Sequence, residues 1–419
     1  MDIGDKVKVE TKDNTFEGVL MPSSGNIVLK LSSGYNVGFE KKEVKSVKVV
    51  EKHKEKSSKS LKLEIKKGKK KITILHTGGT IASKVDYETG AVVARYTPEE
   101  IVSQFPELNE LANIQSRLIS NMWSEDMRFC NYNILAKEIE KEIKDGVDGI
   151  IITHGTDTLH YTSAALSFIL EGLNVPVILV GAQRSSDRGS SDAAMNLICA
   201  VEFILKTEFA EVGVCMHKYS SDEICWLLPG LKCRKLHSSR RDAFRPVNSK
   251  QYAEINYNTH VVNIIDNSFR PREKRELKLR LFKEVKVGIL KSHPNMFAEE
   301  FKVYSKYDGL ILEGTGLGHM PIDQHAENKE IFSELKKLAK KIPVMMTTQC
   351  LFGRVNMNVY SNGKVLKEIG ILGDQLDLTA ETAYIKLAWL LSNHPEHSRI
   401  MMSENIRGEL NNRISNDFI

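Results

Sequence analysis

Two short segments of this 419-residue chain carry the residue types that could do chemistry. The first, ITILHTGGTIAS, covers residues 72–83, and the second, IIITHGTDTL, covers residues 150–159. Each is an apolar run that stops abruptly in glycine and threonine, with Asp157 added in the second. A buried strand ending in a Gly-rich turn delivers polar side chains to the rim of a sheet. Gly79 and Gly155 let the backbone approach a ligand closely and leave N–H groups free to face an anion or oxyanion. Thr80, Thr156 and Asp157 would then converge at one edge. Two hydroxyls and a carboxylate are the makings of nucleophilic attack on an amide, with ammonia as a product. Taken singly, each motif also reads as plain structure: a tight turn at HTGGTIAS, and a helix cap built on Thr156, Asp157 or Thr158 at HGTDT. Two such motifs at the same end of successive strands favour a shared site.

The composition bounds what can carry these turns. At roughly 150 residues per domain the length implies two or three domains. A hydrophobic fraction of 41% and a charged fraction of 27% are those of a soluble globular protein. No run approaches the ~18 apolar residues of a membrane span, and MDIGDKVKVE, charged from its second residue, does not read as a signal peptide. Cys130, Cys199, Cys215, Cys225, Cys233 and Cys350 form no C-x-x-C pair, which argues for reduced thiols in a cytoplasmic protein and against a zinc site. The net charge of +5 is local: residues 51–71 hold ten lysines against three glutamates, so the rest of the chain sums to −2. That stretch reads first as a solvated tether and only secondarily as a holder of a polyanion such as RNA.

The organisation follows from periodicity. Residues 1–50 alternate apolar and polar positions in DKVKV, TFEGVL, GNIVLKL, YNVGF and VKSVKVV, with turn residues about every nine positions. Five short strands at that spacing predict a small closed β-barrel of the SH3-like kind, a docking module more than a catalyst. Residues 51–71 are the basic linker, and LKLEIKKGKKKITIL within and beyond it reads as a hairpin about Gly68. From residue 72 strands and helices alternate. Strands are expected at 72–75, 149–153, 176–180 and 212–216, and helices at 131–144, 159–170 and 192–205. Repeated strand–helix units imply an α/β body with a parallel sheet, whose carboxyl edge binds ligands. Residues 72–251 form the large lobe with the active site and residues 252–283 a connecting segment. Residues 284–419 form a smaller α/β lobe, with strands in VKVGIL, GLILEG and VMMTT and a long helix near 379–392.

Together, TGGTIAS (77–83) and HGTDT (154–158) resemble the motif pair of the bacterial-type asparaginase/glutaminase family. WSEDM (123–127), VGAQR (180–184) and KLHSSRRDAF (235–244) follow in the family's order, and the resemblance covers most of the chain from residue 72. It implies an asparaginase-like two-lobed body with Thr80 and Thr156 as catalytic threonines, Asp157 as partner aspartate and Lys235 as the lysine. A threonine hydroxyl needs a base, and lysine serves only with a lowered pKa, which burial and the nearby Arg234, Arg240 and Arg241 would favour. Ser124 and Glu125 fall where the family contacts the substrate's α-amino and α-carboxylate groups; Glu125 stands where glutamine is common, so its acid could meet the ammonium or an arginine. Tyr96 is a weaker candidate for a tyrosine beside the first threonine. GTGLGH (314–319) lacks the G-x-G-x-x-G pattern and reads as a turn.

The barrel and tether are foreign to a simple asparaginase. They resemble the architecture of glutaminase subunits in the archaeal tRNA-dependent amidotransferase family. That likeness implies hydrolysis of glutamine through a threonine acyl-enzyme, supplying ammonia for conversion of Glu-tRNA(Gln) to Gln-tRNA(Gln). There is no G-x-x-x-x-G-K-[ST] loop and no G-x-S-x-G elbow. The chain is therefore expected to hold no cofactor or metal of its own, with ATP and Mg in an amidotransferase partner (the E-type subunit) that also makes the main tRNA contacts. A homodimer within a heterotetramer is expected, with no membrane association. The alternative is a free-standing cytosolic L-asparaginase; a catalytically dead docking protein fits poorly with both threonine motifs intact.

Overall fold

The computed structural model describes residues 5–21, 23, 25–31, 36–52, 68–85, 92–94, 105–186 and 191–414. Most of the basic linker, the first arm of the hairpin proposed about Gly68, and Tyr96 lie outside the described residues.

The N-terminal module is five antiparallel strands, Lys6–Thr11, Thr15–Met21, Ile27–Leu31, Asn36–Phe39 and Val44–Glu51, with the last pairing back onto the first. Period-two alternation puts Val7, Val9, Leu20, Leu29 and Phe39 inside. Among the described residues the two edge strands share no ladder, so the barrel is not closed by hydrogen bonds. They close around side chains instead: Phe39 from one edge and Val44 and Val47 from the other pack into the same core. Gly18 permits the curl, since a Cβ there would lie 2.5 Å from the Lys30 carbonyl oxygen.

The large lobe is built on an eight-stranded sheet. Lys71–Gly78, the TGGT strand, lies between Asn113–Met122 and Gly149–Thr153, the HGTDT strand; Val177–Val180 and Val212–His217 follow, all parallel. These strands are continuous apolar runs because both faces are covered. Ile150 and Ile152 pack to one side with the helices Phe129–Lys144 and Leu159–Ile169, while Ile151 packs to the other with Ala193–Lys206.

The rest of this sheet departs from the expected parallel pattern. Ile224–Pro229 turns back on Val212–His217 through a polar loop too short for a crossover helix, so the pairing is antiparallel. Ala253–Asn256 and Val262–Ile264 extend the same antiparallel edge. Residues assigned to a connecting segment from 252 onward therefore include two sheet strands, and the passage between lobes begins after Ile264. Their apolar content, divided by Tyr257–His260, is too short to announce strands by periodicity alone.

The smaller lobe has three parallel strands, Val287–Lys291, Gly309–Gly314 and Val344–Thr348, with the helices Ala326–Lys341 and Ala380–Asn393. Thr379 caps the last helix by accepting from the Thr382 N–H at 3.2 Å. GTGLGH is a turn, closed by Thr315 and His319 bonding each other's backbone at 3.0 Å. The lobes share one core, in which Phe168 meets Trp389 at 5.5 Å between ring centroids. Among the described residues no helix is long and apolar enough to cross a membrane.

Candidate active site

The two Gly-Thr turns are in contact. A Cβ on Gly79, which has φ +79°, would sit 2.5 Å from both the Cα and N of Gly155. A Cβ on Gly155 would sit 2.7 Å from the Ser124 Cβ, and one on Gly181 would sit 2.7 Å from the Thr156 methyl. Four loops, each leaving the same sheet edge, are thus packed together at three glycines that leave no room for a Cβ. Thr80, one residue past Gly79 and half-buried, opens a 3-10 turn over Thr80–Ala82. Thr158 Oγ1 donates to the Ser124 carbonyl at 2.6 Å and so ties WSEDM to HGTDT.

Lys235 completes the cluster. It ends a short strand, Cys233–Lys235, paired antiparallel with Phe244–Pro246. Strand alternation sends Cys233 and Lys235 toward the large lobe, and Lys232 and Arg234 toward the smaller lobe. Lys235 Nζ donates to Thr156 Oγ1 at 2.7 Å and to Asp157 Oδ1 at 2.7 Å. Its side chain is 9% exposed while that of Asp157 is 67% exposed, so the ammonium is shielded and its counter-ion faces the opening. Arg234 pairs with Glu381 at 2.8 Å and Lys232 with Asp377 at 3.0 Å, anchoring the strand to the smaller lobe.

The neighbouring cations expected to act on Lys235 are already neutralised. Besides the Arg234–Glu381 pair, Arg240 is held by Asp242 and Arg241 by Asp222, each at 2.7 Å. Glu125 is exposed beside buried Ser124, and among the described residues no arginine pairs with it. The Thr80 hydroxyl makes no hydrogen bond to Thr156 or Lys235 among the described residues. The structure therefore joins Thr156, Asp157 and Lys235 by hydrogen bonds, brings Gly79, Gly155 and Ser124 into contact, and leaves Thr80 and Glu125 on the rim.

The histidines of the two motifs are scaffold. His76 bridges Thr153 Oγ1 and Ser116 Oγ, each at 2.7 Å, and His154 bridges its neighbour's carbonyl at 2.7 Å and Thr162 Oγ1 at 2.9 Å. Burial lowers both imidazoles to a pKa of about 4, so they are neutral at pH 7. Thr77 likewise donates to the Thr153 carbonyl at 2.9 Å.

Sequence reasoning missed the floor of the site. Asp192, fully buried before Ala193–Lys206, accepts from the Gln183 N–H with both oxygens at 3.0 Å and from the Arg184 N–H at 3.1 Å. Asn196 donates to the Gly181 carbonyl at 3.0 Å. The signal was an aspartate at a helix start, which reads as an N-cap; here it caps the neighbouring loop instead. Among the described residues no group of three or more His, Cys, Asp or Glu could hold a metal ion.

Residues 71–267 match the family described as "Asparaginase, N-terminal", residues 286–402 the "Glutaminase/Asparaginase C-terminal domain", and residues 1–50 the "GatD N-terminal domain". The chain is 45% identical to a D-type subunit of glutamyl-tRNA(Gln) amidotransferase from Methanococcus maripaludis, over 99% of each chain. It is 43% identical to one of Pyrococcus furiosus, over 98% of this chain and 95% of that one. Among solved structures, the thermostable L-asparaginase from Thermococcus kodakarensis superimposes with a TM-score of 0.73 at 30% identity, covering 82% of this chain and all of that one. The asparaginase superposition spans the body, and the full-length relatives also span the N-terminal module: the chain belongs to the family of D-type subunits of glutamyl-tRNA(Gln) amidotransferase, an asparaginase-like body behind a small β module.

Proposed function

We propose that this chain hydrolyses the side-chain amide of glutamine and passes the ammonia to an ATP-using partner that amidates Glu-tRNA(Gln). The observation that carries the chemistry is Lys235 Nζ at 2.7 Å from both Thr156 Oγ1 and Asp157 Oδ1. Once Lys235 has handed one proton to the Asp157 carboxylate, its neutral amine takes the proton of the Thr156 hydroxyl while Asp157 holds it in place. A threonine Oγ1–carbon bond forms as the amide carbon–nitrogen bond breaks. The hydroxyl proton moves through Lys235 to the leaving nitrogen, which departs as ammonia. Water then cleaves the acyl-threonine ester to give glutamate and the free hydroxyl. Gly79 and Gly155 admit the substrate's reacting end, and Ser124 and Glu125 hold its amino-acid end, with Thr80 facing the same opening. ATP and magnesium belong to the E-type partner, in a cytoplasmic heterotetramer of two copies of each chain.

The partner-dependent part of this reading rests on the N-terminal module, which a free-standing asparaginase does not need. Glutamine and asparagine hydrolysis by the full chain, with and without the partner and Glu-tRNA(Gln), provides the test. Glutamine turnover should rise when both are added, and removal of residues 1–70 should blunt that rise without abolishing basal turnover. Asparagine turnover that ignores partner, tRNA and truncation alike would establish the free-standing asparaginase instead.

A further inference from the structure

Gln183 presents a polar atom that the proposed chemistry has not used. Its carboxamide oxygen accepts from Thr156 Oγ1 at 3.4 Å, while its carboxamide nitrogen is buried with no hydrogen-bond partner among the described residues. A buried donor left unmade is costly, and such a group calls for an explanation. Local slack is not one. The loop that carries Gln183 is fixed by both oxygens of Asp192 on its backbone N–H and by Asn196 on the Gly181 carbonyl. Gly181 is pressed against the Thr156 methyl, so the side chain starts beside the reacting hydroxyl. The unpartnered N–H2 group is therefore within one amide width of Thr156.

We propose that Gln183 is a specificity-determining residue that reads the substrate's carboxamide by pairing amide to amide. Its nitrogen donates to the substrate C=O, and its oxygen, which has a second lone pair beyond the one facing Thr156, accepts from the substrate N–H2. Only an amide satisfies both halves. An ester offers the C=O but no N–H donor. The glutamate product offers two acceptors, one of which must face the Gln183 oxygen, so the same contact that recognises substrate disfavours product. This inference rests on the threonine-hydrolase reading above.

The test is the ratio of kcat/KM for L-glutamine to that for L-glutamate γ-methyl ester, measured on the full chain by glutamate release. Gln183→Met removes donor and acceptor. Gln183→Asn keeps the site polar and the Asp192 bonds intact but withdraws the amide by one methylene. In both variants the amide-to-ester ratio should fall roughly tenfold, the worth of one hydrogen bond that only the amide makes. A loosened loop would lower both substrates together and leave the ratio alone. A ratio within twofold of the native value in either soluble variant overturns the proposal. Thr156→Ala separates the two levels: continued hydrolysis of both substrates by that variant would sink the threonine reading itself, whereas an unchanged ratio with Thr156→Ala inactive sinks only the role of Gln183.

Discussion

The molecule has two parallel-sheet edges that look alike in outline and differ in what they place there. At the large edge, Gly79, Gly155 and Gly181 bring three loops into contact, and Lys235 reaches in from a fourth. At the small edge, Gly316 and Gly318 also turn with positive φ, of 52° and 100°, and Thr348 Oγ1 donates to the Gly316 carbonyl at 2.5 Å. A cavity of about 610 Å³ opens there, lined by Thr348, Cys350, Arg354 and Arg413 among others. Among the described residues, however, no contact there joins a hydroxyl to a base. Topology supplies a rim at every such edge; chemistry needs a nucleophile, a base and an orienting acid within hydrogen-bond reach.

The comparison breaks most easily at Lys235. Thr156→Ala and Lys235→Ala should each lower kcat for amide hydrolysis about 10³-fold, the scale of losing general acid–base assistance to a nucleophile. Circular dichroism should stay native, because neither side chain belongs to the apolar core clusters. Cys350→Ser and Thr348→Val at the small edge should leave kcat within about twofold, as expected of surface positions without a role. Turnover surviving in Lys235→Ala, or collapsing in Cys350→Ser, would mean the wrong edge has been chosen.

How much of this was legible beforehand depends on whether the signal was local. Strands at 149–153, 309–314 and 344–348 could be read to the residue because continuous apolar runs between turn residues have no other buried solution. Thr156, Asp157 and Gly155 stand together in one motif. Lys235 is 79 residues from Thr156, and a lone lysine carries no local sign of burial; only the family resemblance singled it out. Asp192 was hidden for the opposite reason, since a helix start suggests an ordinary cap, and Gln183 was noticed only as part of the VGAQR segment, with no role of its own. Their role comes from a neighbouring strand. The two strands after residue 252 were missed because strands of four and three residues carry too few positions for a period to show.

A matched glycine pair tests the packing half of the comparison. Gly79→Ala places a methyl 2.5 Å from the Gly155 backbone, atoms that cannot move away without shifting the HGTDT loop. A displacement near 1 Å at such a loop costs about 10²-fold in rate. Gly316→Ala meets nothing within 4 Å, so its only penalty is the left-handed φ of 52°, about 1–2 kcal/mol of stability, with kcat untouched. Steady-state kinetics and thermal melts on the two variants separate these effects. Equal kinetic damage from both would show that the large edge is no more tightly built than the small one.

The smallest effect per step comes from protons, and it too should fall on the large edge. His76 and His154 lie under it with pKa values of about 4, and His160 at about 3; burial is the main cause for all three, with Arg234 and Lys235 adding to it for His160. At the small edge His293 is exposed and hydrogen-bonded to the Pro294 carbonyl and Glu300, which raise its pKa. A histidine that is harder to protonate when folded gives its full contribution above the unfolded value near 6.5. That contribution is lost as pH falls toward the folded value, because the unfolded chain then binds the extra proton. Each such group is worth up to ~1.4 kcal/mol per pH unit across that window. His217, lowered by burial, adds to these three, while Asp192 and Glu313, whose carboxyls are raised by burial, act in the opposite sense. The urea midpoint should therefore drop between pH 6.5 and 4.5, and His154→Gln should flatten the slope. A midpoint that holds level over that range would mean the three imidazoles take up protons without unfolding, and the large edge would then be a softer, wetter place than its packing implies.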